Sequence, residues 1–120
     1  MTLLSYLREN LVRLMKRREK VALRAVRDAI SAIQNAETSY VASPAADTGS
    51  EHLAGAVPFG HAERVVAELT DAQMMELARA QVTRRLDESA RYRALGDVDR
   101  ALMLKAEALS LSDHLDAYAG

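Results

Sequence analysis

Leu4, Leu7, Leu11 and Leu14 fall three or four residues apart, and Leu23, Val26, Ile30 and Ile33 repeat the spacing further along. That is the period of an amphipathic helix with one apolar stripe. Residues 1–40 hold neither Gly nor Pro, so nothing local forbids helix throughout. At about 100° per residue, however, the second stripe is rotated from the first by roughly one residue. A straight helix would aim its halves at different neighbours, and the pattern therefore predicts two helices with a break near Lys16 to Lys20. Thr2 suits the first N-cap, because its hydroxyl can accept a bond from an orphaned backbone N–H; the break has no comparable cap.

From residue 40 to 69 no period survives, and Pro44, Gly49, Gly55, Pro58 and Gly60 interrupt small and polar residues. This stretch reads as a flexible insertion, with a short helical turn around Ala62 to Leu69. Pattern resumes behind Thr70-Asp71-Ala72-Gln73, which fits a capping box. Met75, Ala78, Val82, Leu86, Ser89 and Tyr92 then recur as far as Gly96, whose missing Cβ suits a left-handed helix end. Asp97 can cap a last helix, in which Ala101, Leu104, Ala108, Leu111, Leu115 and Tyr118 form the stripe. The expectation is a single all-α domain over 1–120, a four-helix bundle of two helical hairpins (1–39 and 70–119) joined by a long loop (40–69).

Composition agrees with helix: Ala and Leu supply 38 residues, against 16 for Val, Ile and Thr together. The chain has no Trp and only five Phe or Tyr, so aromatic platforms for bases are scarce. With no Cys, disulfide scaffolds, thiolate chemistry and Fe–S clusters are excluded, which fits a reducing compartment. No apolar run approaches the roughly 20 residues of a bilayer span, and none resembles a signal segment. The reading is a cytoplasmic protein without a membrane partner. A net charge of −1 rules out electrostatic coating of nucleic acid. Charge is unevenly spread, though, with 8 basic and 4 acidic side chains in residues 1–40 and an acidic excess elsewhere. A polyanion site would have to be local.

Candidate chemistry is sparse. The histidines are His52, His61 and His114, and no serine sits in an elbow motif beside a base. His52 and His61, with Asp47, Glu51 and Glu63, match no metal-ligand spacing. No Gly-rich phosphate turn is present. No catalytic residue, metal or cofactor is therefore assigned. Arg13, Arg17, Lys20, Arg24 and Arg27 recur at four- and three-residue steps, a spacing suited to a phosphate backbone. The break divides that stripe, but Lys20, Arg24 and Arg27 share the solvent side of the second helix. Arg84 and Arg85 are further candidates, with Glu88 at hand to pair locally with either.

Two blocks carry a resemblance. In residues 7–37, Met15-Lys16 ends the first helix, a charged step follows, and the second closes on Ala32-Ile33 and Glu37. The other runs from Arg84-Arg85 through Glu88-Ser89-Ala90 to Tyr92 and Gly96, then Ala106-Glu107-Ala108-Leu109 to His114-Leu115. In order and spacing these resemble the GatB/YqeY family, the domain found alone and as the tail of the B subunit of the tRNA-dependent amidotransferase. Two departures stand out: His114-Leu115-Asp116 occupies the place of the family's Tyr-Leu-Pro, and the chain ends at Gly120, as a truncated member would. The resemblance implies tRNA-associated binding, with Arg17, Lys20, Arg24 and Arg27 on phosphates and Arg84 and Arg85 as secondary contacts. It carries over no catalytic residue, and a link to glutamine-dependent carbon–nitrogen ligation would come only by inheritance from the larger subunit. The alternative expectation is a helical module for protein interaction or self-association.

Overall fold

The computed structural model describes residues 1–49 and 68–120, with side chains through Thr38 and from Glu68 onward. Among the described residues four helices follow one another: α1 (Leu3–Arg17), α2 (Lys20–Gly49), α3 (Asp71–Ala94) and α4 (Val98–Ala119). No strand occurs among the described residues. The domain is all-α, and its helix pairings are those of a bundle. α3 and α4 make the most extensive pair, α1 lies against α2, and α2 packs on both α3 and α4.

Each boundary has a local cause. The Ser5 N–H donates to Thr2 Oγ1 at 3.1 Å, opening α1 as its cap predicts. The break falls at Arg18-Glu19, where the Arg18 N–H donates to the Met15 carbonyl and the Glu19 N–H to the Leu14 carbonyl. This is a Schellman closure, and it holds Arg18 in the left-handed region at φ 58°. The same ring closes α3, with the Gly96 N–H on Arg93 and the Asp97 N–H on Tyr92, and there the left-handed residue is Gly96 at φ 88°. At the start of α3 the capping box is complete: the Gln73 N–H donates to Thr70 Oγ1 at 3.1 Å, and the Thr70 N–H to Gln73 Oε1 at 2.8 Å. Asp97 caps α4 through the Arg100 N–H.

The core gathers Leu3, Leu7 and Leu14 from α1, Val26, Ile30 and Ile33 from α2, and Leu111 and Leu115 from α4. Alanines line the close contacts, with Ala22, Ala25 and Ala29 on α2, Ala78 on α3 and Ala108 on α4 all buried. Small side chains let the helix axes approach, so dispersion contacts come from backbone as well as side chains. Buried Asn10 is satisfied by the Tyr6 carbonyl and by Arg13. Buried Ser89 donates to the Ala101 carbonyl at 2.6 Å, tying α3 to α4.

Two expectations are corrected. The sequence predicts a flexible insertion over 40–69, whereas α2 continues helical to Gly49, through Pro44. A proline removes one backbone bond and strains one turn, whereas Ala42, Ala45 and Ala46 around it favour helix, so the helix runs on past it. Residues 50–67, including most of the expected turn at Ala62 to Leu69, lie outside the described residues; Glu68 and Leu69 are not helical. On α3 the stripe runs through Met74, Ala78, Val82, Arg85 and Ser89. Leu86, expected inside, is exposed, and Arg85 takes its place.

Candidate nucleic-acid interface

Lys20, Arg24 and Arg27 are exposed on α2, on the side away from buried Ala22, Ala25, Ala29 and Ile33. Helical geometry alone sets this arrangement, since steps of four and three residues return to one face. Arg17 is exposed at the end of α1, with its guanidinium 3.9 Å from Glu19 in a weak surface pair. The Schellman turn directs Arg13 and Arg17 along a different axis from the α2 cations, so the five-residue stripe is divided between two helices. Arg84 is exposed on α3 and has no ionic partner among the described residues.

Arg85 is not a surface cation. It is 7% exposed, and its guanidinium is shared among three helices. Nε donates to Glu107 Oε1 at 3.0 Å, one terminal nitrogen donates to Gln81 Oε1 at 3.2 Å, and the other to the Asp28 carboxylate. Its ionic partners are thus Asp28 of α2 and Glu107 of α4, not the neighbouring Glu88. A buried guanidinium facing two carboxylates is satisfied in place, so the expected phosphate contact at Arg85 is withdrawn.

Glu107, which enters the sequence reading only as part of the second block and with no role of its own, is 3% exposed. Its second oxygen lies 3.8 Å from the Arg24 guanidinium, which is itself 66% exposed. The chain Asp28–Arg85–Glu107–Arg24 therefore runs from the surface of α2 through the interior and back to the surface of α2. Its four charges sum to zero, the condition under which burial of the central pair is tolerable. The available signal was the three-and-four spacing from Met74, Ala78 and Val82, which reaches Arg85 as readily as Leu86.

Over this network lies a polar groove of about 430 Å³ between α2, α3 and α4, with Arg24, Ser31 and Asn35 on the α2 side and Gln81 and Arg84 on the α3 side. Among the described residues no group of three or more His, Asp or Glu side chains could hold a metal ion. The weak His52–His61 pattern lies outside those residues. Likewise, no described helix is long and apolar enough to cross a membrane. Far from the groove, Asp71 joins three chain segments: it accepts from the Leu3 N–H at 2.7 Å and from the Tyr118 hydroxyl. Those two bonds, the tyrosine's first, hold its carboxyl below the usual carboxylate value, and the same contact raises Tyr118.

Comparison with protein-family models, curated proteins and solved structures gives no match to this chain.

Proposed function

We propose that this is a non-catalytic, cytoplasmic, tRNA-associated helical domain of the kind its two sequence blocks resemble, the tail of the amidotransferase B subunit. The observation that carries the reading is the solvent-facing cationic side of α2, Lys20, Arg24 and Arg27, with Arg17 before it and Arg84 across the groove. Phosphate contacts of this number release a handful of counterions, so affinity should be weak and steeply salt-dependent. Gel-shift titration with bulk tRNA at low and moderate salt tests it: a shift that disappears as salt rises is expected, and no shift at low salt refutes it. Glutamine-dependent turnover by the purified protein alone would overturn the non-catalytic part.

A second reading, self-association, has its own observation. Leu102 and Leu109 lie seven residues apart on α4, and each is 51% exposed. Side chains two turns apart share one helix face, so they form a short apolar strip that a second copy could cover. Light scattering behind size exclusion separates the readings, because a stable dimer indifferent to tRNA favours this one.

A further inference from the structure

The groove above the Arg85–Glu107 pair has features that the exposed cations alone do not explain. Its volume, about 430 Å³, falls within the range of small-ligand sites. Glu107 lines it while 3% exposed. One of its oxygens is committed to Arg85, and among the described residues the other faces Arg24, at 3.8 Å, beyond hydrogen-bond length. A buried carboxylate oxygen without a close donor is costly, so this position favours a ligand that brings an N–H or O–H. Two guanidiniums meet the groove from different helices, Arg24 from α2 and Arg84 from α3, a pairing that suits an anion. Arg24 is mostly solvent-exposed and free to turn from Glu107 towards such an anion. The remaining polar lining is Ser31, Asn35 and Gln81 with two further carboxylates, Asp28, which Arg85 holds, and Glu88, and among the described residues no aromatic ring borders the groove. The site therefore offers no aromatic platform for a base.

An anion and a hydroxyl donor side by side, without a stacked ring, describe a ribose phosphate. We infer that the groove is a ribose-phosphate subsite that makes RNA binding selective for the 2′-hydroxyl. Arg24 and Arg84 take the phosphate, and the hydroxyl donates to Glu107. An acidic side chain accepting from a ribose hydroxyl is a recurrent arrangement in nucleotide sites, and the 2′-hydroxyl is what separates RNA from DNA for a protein. The inference rests on the RNA reading above and adds to it a place and a chemical preference.

The experiment has two arms. In the first, amide chemical shifts are followed while ribose 5-phosphate, 2-deoxyribose 5-phosphate or inorganic phosphate is added at low salt. Saturable shifts at Ser31, Asn35, Gln81 and Arg84, with ribose 5-phosphate about tenfold tighter than the deoxy sugar, are expected, as for one hydrogen bond to a charged acceptor. Loss of binding in Arg84→Ala, an exposed position where folding is not at stake, completes the expected result. Equal affinity for all three probes, or shifts that avoid the groove, would overturn the inference. In the second arm, a mixed-sequence oligoribonucleotide and its deoxy counterpart are titrated by fluorescence anisotropy. A preference for RNA that Arg84→Ala weakens, while Glu107→Gln abolishes it with its helical signal intact, supports the subsite. RNA binding that is indifferent to the sugar and to Arg84 refutes the subsite and leaves the RNA reading standing. Absence of any RNA binding refutes that reading by itself, with the sugar-phosphate titration still deciding the groove.

Discussion

Replacing Arg85 by Met removes a guanidinium that three helices share and leaves a side chain of similar length and apolar character. What becomes of its partners sets the cost. Asp28 is about half exposed and returns to water, but Glu107 stays buried with only Arg24 at 3.8 Å to answer its charge. Removing one member of a buried pair costs about 3 to 5 kcal/mol, and residual help from Arg24 places this case near the lower end. Unfolding entropy for about 100 ordered residues is roughly 0.2 kcal/mol per kelvin near the transition, so the melting temperature should fall by about 15 °C. Against a total stability of roughly 6 to 18 kcal/mol for a chain of this size, that loss is large yet leaves a folded protein. In Arg85→Met/Glu107→Leu no charge is left stranded, and stability should return to within about 1 kcal/mol of the parent. Thermal and urea melts of the parent, both single variants and the double variant give the coupling energy directly. If Arg85→Met melts within about 1 kcal/mol of the parent, or if the double variant loses the sum of the singles, the buried network is not what holds α2, α3 and α4 together.

Further predictions concern the helix ends and the clamp at Asp71. Arg18→Gly should stabilise by about 1 kcal/mol, seen as a higher melting temperature, because an L-residue at φ 58° bears a steric cost that Gly96 avoids in the same ring. Thr70→Ala should cost about 1 kcal/mol in urea melts, since it opens the capping box of α3. Asp71 is held below its ordinary value in the folded state, so its contribution is in place above about pH 4 and is lost as pH falls through the lowered folded value. Tyr118, raised by the same contact, contributes fully below about pH 10 and loses that contribution as pH rises through its raised value. Melting curves of Tyr118→Phe should therefore show a shallower loss of stability between pH 6 and pH 3 than the parent, and an unchanged acid limb would refute the clamp.

Where the fold was legible, one short stretch of chain held the whole signal. Thr70 and Gln73 satisfy each other's backbone three residues apart, and the stripes of α1 and α2 show by their rotation that the chain turns between them. Local composition is misleading at 40–49, where Pro44 reads as a stop although one lost backbone bond does not by itself end a helix. It also misleads at Leu86. Hydropathy favours the leucine over the adjacent arginine, and only the carboxylates that Asp28 and Glu107 bring from 57 and 22 residues away reverse the choice. The Asp71 clamp has no local sequence signal for the same reason, its partners lying 68 and 47 residues distant.

That distance dependence bears on the candidate interface as well. Counted along α2, Asp28 offsets one of the three cations at Lys20, Arg24 and Arg27. In the folded protein its charge is answered by Arg85 from α3, so the outward side of α2 is more positive than its own sequence indicates. Glu107 works in the opposite direction, since it draws weakly on Arg24 from below. Buried network and surface potential are therefore one electrostatic system. The cationic face of α2 depends on a buried side chain of α3, and no reading of either helix alone could have assigned its sign or strength.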